Sequence, residues 1–556
     1  MNHHTDGLRR CLLGWGLAVL TAGLAGCGGS GDSAGSGGGS GPAGSGGTSS
    51  QSDAGTLRLP QFAEPTTLDP AQVEDGPTIE LLMQVYEGLL QWNEKNELVP
   101  CLAEKWDVSN GGKTYTFHLK KGAKFHNGRE VTAADFAFSI QRSLDPKLAP
   151  KPSTVSMTYL NDLVGATEFH DGKATSIKGV EVVDDHTLRL TIDAPKSFFL
   201  AKLTYPTAYA ACKEEIEKTG GAVTDASMIG TGAFKLTEYR KGDRIILSGN
   251  ADYWGGAPKL ARMERRIVLD NQTRHDKFEA GELDLSDVSM QTYRADKDNA
   301  KFQPLLKTFE RPAVYYLALN QNAFPPFKDR RVRQAFAHAI DKSKIIASVH
   351  QGLPRQAEGI IPFGVPGYDP NFKGLPFDPA RAKQLLTEAG FPEGKGFPPF
   401  KLSFRASVDD IKNTAVAIAG QLQENLGIPV ELDETEWATF LTRRARGEMP
   451  CYFLRWMADY LDPQNFVSTM LHSKAQQNSL GYSNPEYDRL SEQADVMQDA
   501  KKRMETYRKA EAIAVADAPW VPIYFQKDVE LWSPRLKGVE DMLLGHLPHK
   551  RTELTP

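Results

Sequence analysis

The sequence predicts a mixed α/β protein with more than one lobe. Apolar and polar residues alternate at residues 115–119 and 187–192, which is typical of half-buried strands. Longer segments further along carry apolar residues at helical spacing, with Pro and Gly between them. The chain has 556 residues, and about 500 follow a Gly/Ser-rich N-terminal segment, more than one hydrophobic core usually organises. We therefore expect strands and helices arranged in two or more lobes.

Residues 1–26 have the features of a bacterial lipoprotein signal peptide. Arg9 and Arg10 precede an apolar run at residues 11–20, and Leu24-Ala25-Gly26-Cys27 has the pattern of a lipobox. The run is short and rich in glycine, so a cleaved signal fits better than a permanent membrane span. We expect lipidation at Cys27, with an uncleaved N-terminal anchor as the alternative.

Residues 27–55 are predicted to form a flexible tether. Residues 28–55 contain 12 Gly and 8 Ser, a composition that cannot bury a core. No later segment approaches 18 consecutive apolar residues, so we expect no second span. The formal net charge of −5 gives no sign of a nucleic-acid partner. The sequence thus describes an exported soluble body that a lipid holds to a bacterial membrane.

Helix signals follow in order along the second half of the body. Apolar spacing predicts helices over residues 329–349, 379–389 and 413–426. Asp378 and Pro379 can cap and start the second of these, and Gly390 can end it. Asn484 and Pro485 can start another helix that runs toward Met497.

Little in the sequence points to catalysis or to a cofactor. There is no His-Glu-x-x-His, Cys-x-x-Cys or Walker-type lysine loop, and the histidines lack metal-ligand spacing. Asp184-Asp185 and Asp409-Asp410 are typical of turns or helix starts. The body's three cysteines, Cys101, Cys212 and Cys451, allow at most one disulfide, whose pair the sequence does not determine. We expect no enzyme, no cofactor and no metal.

An ordered series of segments resembles one protein family over nearly all of residues 56–540. The segments are TLDP (67–70), VYEGLL (85–90), LAEKW (102–106), YTFHLKKGAKF (115–125), VTAADF (131–136), GTGAF (230–234), NADYW (250–254), GELD (281–284), FKDRRVRQA (327–335) and VPIY (521–524). This series is similar to the extracellular solute-binding protein family 5 of ABC importers, and in particular to its oligopeptide-binding branch. Tyr115, Phe117, Phe136 and Trp254, within these segments, are expected in the core.

The resemblance implies a bilobal periplasmic-binding-protein-like α/β fold of type II, cluster C, with an extra third domain and mixed sheets flanked by helices. Lobe I would comprise residues 56–86, 206–312 and 526–556. Domain II would be the insertion 87–205, and lobe III would be residues 313–525. Crossover segments are expected near Tyr86, Tyr205, Pro312 and Phe525, where hinge closure would occur.

The segment from Arg455 to Pro463 is similar to a cleft segment of the oligopeptide-binding branch. The resemblance implies that Asp459 pairs with the α-ammonium of a peptide and that Arg455, Trp456 and Met457 pair with its backbone. An acid in a surface turn near Asp462 and Pro463 is the alternative for Asp459.

Other site residues follow from the same resemblance. Glu74, Asp75 and Gly76 would form a second segment that pairs with the peptide backbone, and Tyr524 is also assigned to the site. Trp437 and Arg444 would line side-chain pockets or meet the carboxyl end of the peptide. For these two the alternative is an amphipathic helix over residues 437–447, with the aromatic inside and the arginines outside.

The chain also departs from the oligopeptide-binding pattern. Pro312 and Met457 replace a linked cysteine pair, Ile411 replaces a pocket histidine, and Phe453 replaces an arginine near the peptide-pairing strand. The length and side-chain preference of the ligand are therefore left open.

The predicted function is that of a monomeric substrate-binding lipoprotein of an ABC importer. It would capture tri- to pentapeptides between its lobes and deliver them to a membrane permease, with ATP hydrolysed by cytoplasmic ATPase partners. Two alternatives are kept: the same fold binding dipeptides, murein peptides, haem, nickel chelates or sugars, and a surface peptide sensor or chaperone without transport. A neighbouring permease gene would favour the importer, and transport that survives deletion would favour the sensor.

Overall fold

The structure is a computed structural model that describes residues 55–555. The predicted signal, Cys27 and residues 28–54 of the predicted tether lie outside these described residues. Within residues 55–555, no helix has the length and apolar character needed to cross a membrane.

The described residues alternate between strands and helices along the whole chain. The strands are β1 (Thr56–Gln61), β2 (Leu90–Trp92), β3 (Leu98–Pro100), β4 (Ala103–Ser109), β5 (Thr114–Leu119), β6 (Val180–Asp184), β7 (Thr187–Thr191), β8 (Phe234–Arg240), β9 (Arg244–Gly249), β10 (Arg262–Ile267), β11 (Leu285–Asp287), β12 (Leu306–Leu319), β13 (Arg355–Gln356), β14 (Lys401–Arg405), β15 (Glu431–Thr435), β16 (Cys451–Met457), β17 (Trp520–Trp532), β18 (Leu536–Lys537), β19 (Asp541–Met542), β20 (Gly545–His546) and β21 (Glu553–Leu554). The helices are α1 (Gly76–Val85), α2 (Ala133–Leu144), α3 (Ser156–Leu160), α4 (Ala166–His170), α5 (Phe199–Lys202), α6 (Lys213–Lys218), α7 (Asn271–Glu279), α8 (Met290–Asp296), α9 (Arg330–Ala339), α10 (Lys342–Val349), α11 (Pro379–Glu388), α12 (Asp409–Leu426), α13 (Trp437–Ala445), α14 (Ser468–Leu471), α15 (Pro485–Val496) and α16 (Ala500–Asp517). The predicted mixed α/β class is confirmed.

Three larger sheets organise the described residues. Sheet A has the order β1-β10-β9-β8, and sheet B has the order β4-β5-β7-β6. Sheet C has seven strands, with β11-β17-β12-β16-β14-β15 in order and β13 paired to β17. The small hairpins β2-β3 and β19-β20 and the pair β18-β21 complete the strands.

Sheet B and helices α2–α5 share one hydrophobic core, and together they form what we call the B module. Phe117 on β5 and Phe136 on α2 are fully buried there, and Tyr115 is buried beside them. The predicted strands at residues 115–119 and 187–192 are confirmed as β5 and β7, which pair antiparallel with Phe117 opposite Leu188. Trp254 is only half-buried, at the margin of this core.

Sheet C is buried on both faces, and with the helices on those faces it forms what we call the C module. On β12, Leu317 faces a core shared with α9–α12, whereas Tyr316 faces a core shared with α13–α16. This alternation is the period of two expected for a strand between two layers of helices. A further core lies between sheet A and α1, around Leu57 and Leu81.

The two longest strands, β12 and β17, pair along most of their length. Their antiparallel register shifts between Glu310 and Val314. Pro312 lies in this interval, and it has no backbone N–H to donate to the neighbouring strand. Pro312 and Phe525, where two crossover segments were predicted, lie within these two strands.

The helix predictions are confirmed in part. Helices α11 and α15 begin at the predicted prolines, with the Asp378 and Asn484 side chains accepting hydrogen bonds from their first turns. The single helix predicted at residues 329–349 is wrong, because Ile340 is extended and Asp341 caps a new helix, so that α9 and α10 are separate. Helix α12 begins four residues before the predicted start, at Asp409.

The three described cysteines do not form a disulfide. Cys101, Cys212 and Cys451 are free and buried. The stability of residues 55–555 therefore depends on burial rather than on cross-links.

Candidate functional site

A cavity of about 530 Å³ brings together all ten predicted ligand-binding residues. They are Glu74, Asp75, Gly76, Trp437, Arg444, Arg455, Trp456, Met457, Asp459 and Tyr524. Its lining is drawn from the start of α1, from α3 of the B module, and from β14, β16 and β17 of the C module. The volume lies within the range of small-ligand sites.

Asp459 follows β16 and is the best-defined acid of the cavity. Its Oδ2 accepts hydrogen bonds from the Tyr159 hydroxyl at 2.7 Å and from Asn465 Nδ2 at 3.2 Å. Its backbone N–H donates to Asn465 Oδ1 at 3.1 Å, which fixes the turn. No described residue donates to Oδ1 or forms an ion pair with Asp459, and burial raises its pKa to about 6. A half-buried carboxylate with one open oxygen is suited to a cationic ligand group.

β16 offers an unpaired backbone edge next to this carboxylate. One edge pairs with β12 from Cys451 to Met457. The other edge pairs with β14 only at Cys451 and Tyr452, and beyond that point it meets no strand of residues 55–555. Extended chains bind to such edges through main-chain hydrogen bonds.

Glu74, Asp75 and Gly76 lie where the chain enters α1. Asp75 caps the helix, accepting hydrogen bonds from Thr78 N–H at 3.3 Å and from the Thr66 hydroxyl at 2.5 Å, so its side chain is already engaged. Glu74 forms no ion pair among the described residues, and burial raises its pKa although the charges of Arg444 and Lys151 act to lower it. A Cβ added at Gly76 would lie 3.8 Å from Arg455 Nη2, so this segment approaches β16 closely.

Two guanidiniums of the cavity lie against aromatic or amide groups instead of carboxylates. Arg405, at the end of β14, lies 4.7 Å from the ring centre of Trp437. Arg455 Nη1 donates to Gln526 Oε1 at 2.5 Å. Burial and the nearby charge of Arg455 lower the pKa of Arg405. Neither side chain forms an ion pair within residues 55–555, so both can meet an anionic ligand group.

A third guanidinium, that of Arg444, is buried in the wall of the cavity. Its Nη2 donates to Gln477 Oε1 at 2.8 Å, whereas its Nε has no hydrogen-bond partner among the described residues. The helix predicted at residues 437–447 is confirmed as α13, but the expectation that its arginines point outward is wrong for Arg444. Its long side chain reaches inward from the face that also carries Phe440 and Leu441.

The structure adds three residues to the predicted site: Tyr159, Arg405 and Asp410. Asp410 lies in the first turn of α12, as expected for a helix start, and accepts a hydrogen bond from Met290 N–H at 3.1 Å. Burial raises the pKa of Asp410 to about 6. Arg405 at a strand end and Asp410 at a helix start are only weak indications of a binding site in the sequence, and nothing in the sequence around Tyr159 indicates one. Within the described residues, no group of three or more His, Cys, Asp or Glu side chains is placed to hold a metal ion.

Comparison with known proteins gives consistent matches over most of the chain. A sequence model of the family described as "Bacterial extracellular solute-binding proteins, family 5 Middle" matches residues 97–478. Heme-binding protein A of Haemophilus influenzae is 32% identical, over 87% of this chain and 89% of that protein. The periplasmic oligopeptide-binding protein OppA of Escherichia coli is 31% identical, over 86% of this chain and 88% of that protein.

Solved structures show the same fold. The murein tripeptide binding protein MppA of Escherichia coli is similar with a TM-score of 0.83 and 28% identity, over 90% of this chain and 98% of that chain. The unliganded open form of MppA is also similar, with a TM-score of 0.64 over the same shares of both chains. The predicted periplasmic-binding-protein-like fold is thereby confirmed, and the chain is less similar to the open form.

Proposed function

Since the chain belongs to the bacterial extracellular solute-binding proteins of family 5, we propose that it captures short peptides in the cavity and delivers them to the permease of an ABC importer. The observation that carries this proposal is the position of Asp459, with one carboxylate oxygen open, beside the unpaired edge of β16. A peptide in extended conformation has the matching groups, an α-ammonium followed by a backbone that can pair with a strand.

The two halves of this recognition differ in what they select. The carboxylate of Asp459 selects a positive charge, and its Coulomb attraction is stronger in a site from which closure excludes water. The backbone of Arg455, Trp456 and Met457 pairs with main-chain groups and is indifferent to side chains. Glu74, Asp75 and Gly76 approach from the opposite side and supply a second backbone partner. Capture that tolerates many peptide sequences follows from this arrangement.

The arginines give the other end of the peptide its partner. Arg405 and Arg455 have no ion pair within the described residues, so the carboxyl terminus of a bound peptide meets guanidinium groups that are not already neutralised. Arg444 adds to this positive region, and Tyr524 lines the same cavity. Opposite charges at separate places in one cavity are suited to a zwitterionic ligand.

The domain assignment is part of this proposal. Sheet A lies within the ranges proposed for lobe I, sheet B lies within the inserted domain II at residues 87–205, and most of sheet C lies within lobe III at residues 313–525. The long strands β12 and β17 cross the proposed hinge at Pro312 and Phe525. Closure about these crossings holds the peptide.

The remaining features complete the assignment. The mature chain is exported and monomeric, and lipid on Cys27 anchors it to a bacterial membrane. It binds and releases peptide without cleaving it, and ATP is hydrolysed by the ATPase subunits of the importer.

Native mass spectrometry of the purified chain tests the class of ligand, since the relatives by name include a heme-binding protein and peptide-binding proteins. Small molecules carried through purification are released by denaturation and identified. A mixture of short peptides is expected. A single haem, bile acid or metal chelate would keep the family and refute the peptide proposal.

Calorimetry with trialanine then tests the residues. Binding should weaken at least tenfold for N-acetyl-trialanine and for Asp459→Ala, because each removes one partner of a buried charge pair. The matched control is Asp409→Asn, an exposed acid outside the cavity, which should bind as the wild type does. Unchanged affinity for Asp459→Ala would refute the anchor role.

A further inference from the structure

Tyr159 connects the B module to the carboxylate of Asp459. The residue lies on α3, and its ring is 1% exposed within the core of the B module. It stacks on Tyr205 with ring centres 3.6 Å apart, so its orientation is fixed from its own side. Its hydroxyl projects to Asp459, 300 residues away in sequence, and donates to Oδ2 at 2.7 Å.

The other contacts of Asp459 come from its own segment. Asn465 both donates to Oδ2 and accepts the Asp459 N–H, and it belongs to the same turn after β16. Among the described hydrogen-bond partners of Asp459, Tyr159 is therefore the one that comes from the B module. A second bridge lies beside it, from the Thr158 hydroxyl to Gln476 Oε1 at 3.3 Å. The Tyr460 ring of the C module is fully buried in the core of the B module.

We propose that Tyr159 is a positioning residue that couples the shape of the ligand anchor to closure of the B and C modules. Its hydroxyl completes the coordination of Oδ2 only when the two modules meet, and this turns Oδ1 toward the ligand. This inference rests on the proposed function in one respect, that Asp459 contacts the ligand. The coupling of Tyr159 to closure does not depend on what the ligand is.

The physical reason is the difference in environment between the two arrangements. When the modules separate, both the hydroxyl and the carboxylate are exposed to water, which competes for each of them. When they meet, a hydrogen bond to an ionised acceptor forms in a site of low dielectric, where it is stronger. The bond therefore favours the closed arrangement, and it slows escape of a bound ligand rather than its entry.

Tyr159→Phe and Tyr115→Phe form a matched pair of variants for the test. Each removes one hydroxyl from a tyrosine in the core of the B module, but Tyr115 packs on Phe199 with ring centres 5.0 Å apart and does not line the cavity. A general loosening of this core would affect both variants alike. Thermal unfolding of both verifies that they fold.

The first measurement is hydrogen–deuterium exchange of the full chain without added ligand. Tyr159→Phe is expected to speed exchange of amides in residues 455–465 by about tenfold, because the ratio of closed to open molecules falls by that factor. Tyr115→Phe should leave the exchange of these amides unchanged. Equal exchange in the two variants would overturn the inference, whatever the ligand.

The second measurement is stopped-flow binding of trialanine. Tyr159→Phe is expected to raise the dissociation rate constant about tenfold with an unchanged association rate constant, and Tyr115→Phe is expected to change neither rate constant. A slower association in Tyr159→Phe, with unchanged dissociation, would overturn the inference. If trialanine fails to bind the wild type, the peptide proposal fails and the exchange measurement alone decides the role of Tyr159.

Discussion

Protonation of Asp459 should control peptide affinity between pH 5 and pH 7. Burial raises the pKa of this carboxyl from its ordinary 3.8 to about 6 in the unliganded protein. A bound ammonium stabilises the ionised form and lowers that pKa, so near pH 6 the free protein holds more protons than the complex. Affinity therefore rises with pH and is lost as pH falls through about 6.

The expected magnitude follows from the fraction of ionised Asp459. With a pKa of about 6, about nine-tenths of the molecules carry the carboxylate at pH 7 and about one-tenth at pH 5. Affinity for a peptide should fall about tenfold between these values, equivalent to about 1.4 kcal/mol. Relative to an exposed aspartate, burial disfavours the ionised form of Asp459 by about 3 kcal/mol, and the ammonium of a ligand offsets part of this cost.

Isothermal titration calorimetry with trialanine provides the assay, because the peptide has no titrating side chain and its amino group stays protonated over most of this range. Buffers of different ionisation enthalpy give the number of protons released. Asp459→Asn should bind weakly and with little dependence on pH.

Asp410 and Glu74 also line the cavity with raised pKa values, and Asp410→Asn is therefore the necessary control. It should keep the tenfold dependence if Asp459 is its source. A pH dependence that disappears in Asp410→Asn and persists in Asp459→Asn would refute the reasoning.

Three further predictions concern the other end of the ligand and the stability of the fold. Arg405→Gln should weaken binding of trialanine by about tenfold or more, because the lost positive charge acts on the C-terminal carboxylate of the peptide. Binding of trialanine amide, which lacks that carboxylate, should weaken much less. Calorimetry with both ligands measures the two losses, and equal losses would contradict this prediction. Phe117→Ala should cost about 3–5 kcal/mol of unfolding free energy, because the side chain is 0% exposed, whereas Val108→Ala, 52% exposed, should cost less than about 0.5 kcal/mol in the same denaturant titration. Arg142→Met should cost about 3–5 kcal/mol of unfolding free energy, because it leaves the buried Asp69 carboxylate without its two hydrogen bonds of 2.6 and 2.8 Å from the guanidinium. A loss of unfolding free energy below about 1 kcal/mol would contradict this prediction.

Local patterns in the sequence predict the elements of this fold well. The strand β5 and the starts of α11 and α15 follow from alternation, proline and capping residues, which act over a few positions. Apolar spacing continues through the break between α9 and α10, so this pattern does not predict the break. What interrupts the helix is the cap at Asp341, a local hydrogen bond that a search for N-cap residues would have found.

The site is less accessible to such patterns because its residues come from distant parts of the chain. Resemblance alone led to Asp459, and no periodicity marks it. Arg405 and Tyr159 become recognisable as site residues only when β14 and α3 are brought to one cavity. There Arg405 has no ion pair among the described residues, and Tyr159 donates a hydrogen bond to Asp459. Sequence offers no measure of such pairing across 300 residues.

The positions of the arginines suggest how one departure from the oligopeptide-binding pattern affects the choice of ligand. Phe453 stands where that branch has an arginine, and it packs with Tyr315 and Tyr524 in an aromatic cluster. Arg405 and Arg455, both in the same cavity, keep positive charge available without that residue. Moving a positive charge within the cavity changes its distance from Asp459, and therefore the length of a peptide whose two ends can both be paired. We therefore expect the preferred ligand of this chain to differ from the ligands of that branch in length more than in side chains. Calorimetry with a series of alanine peptides of increasing length should show an affinity maximum at one length. An affinity that does not change with length would argue that these arginines do not bind the carboxyl end of the peptide.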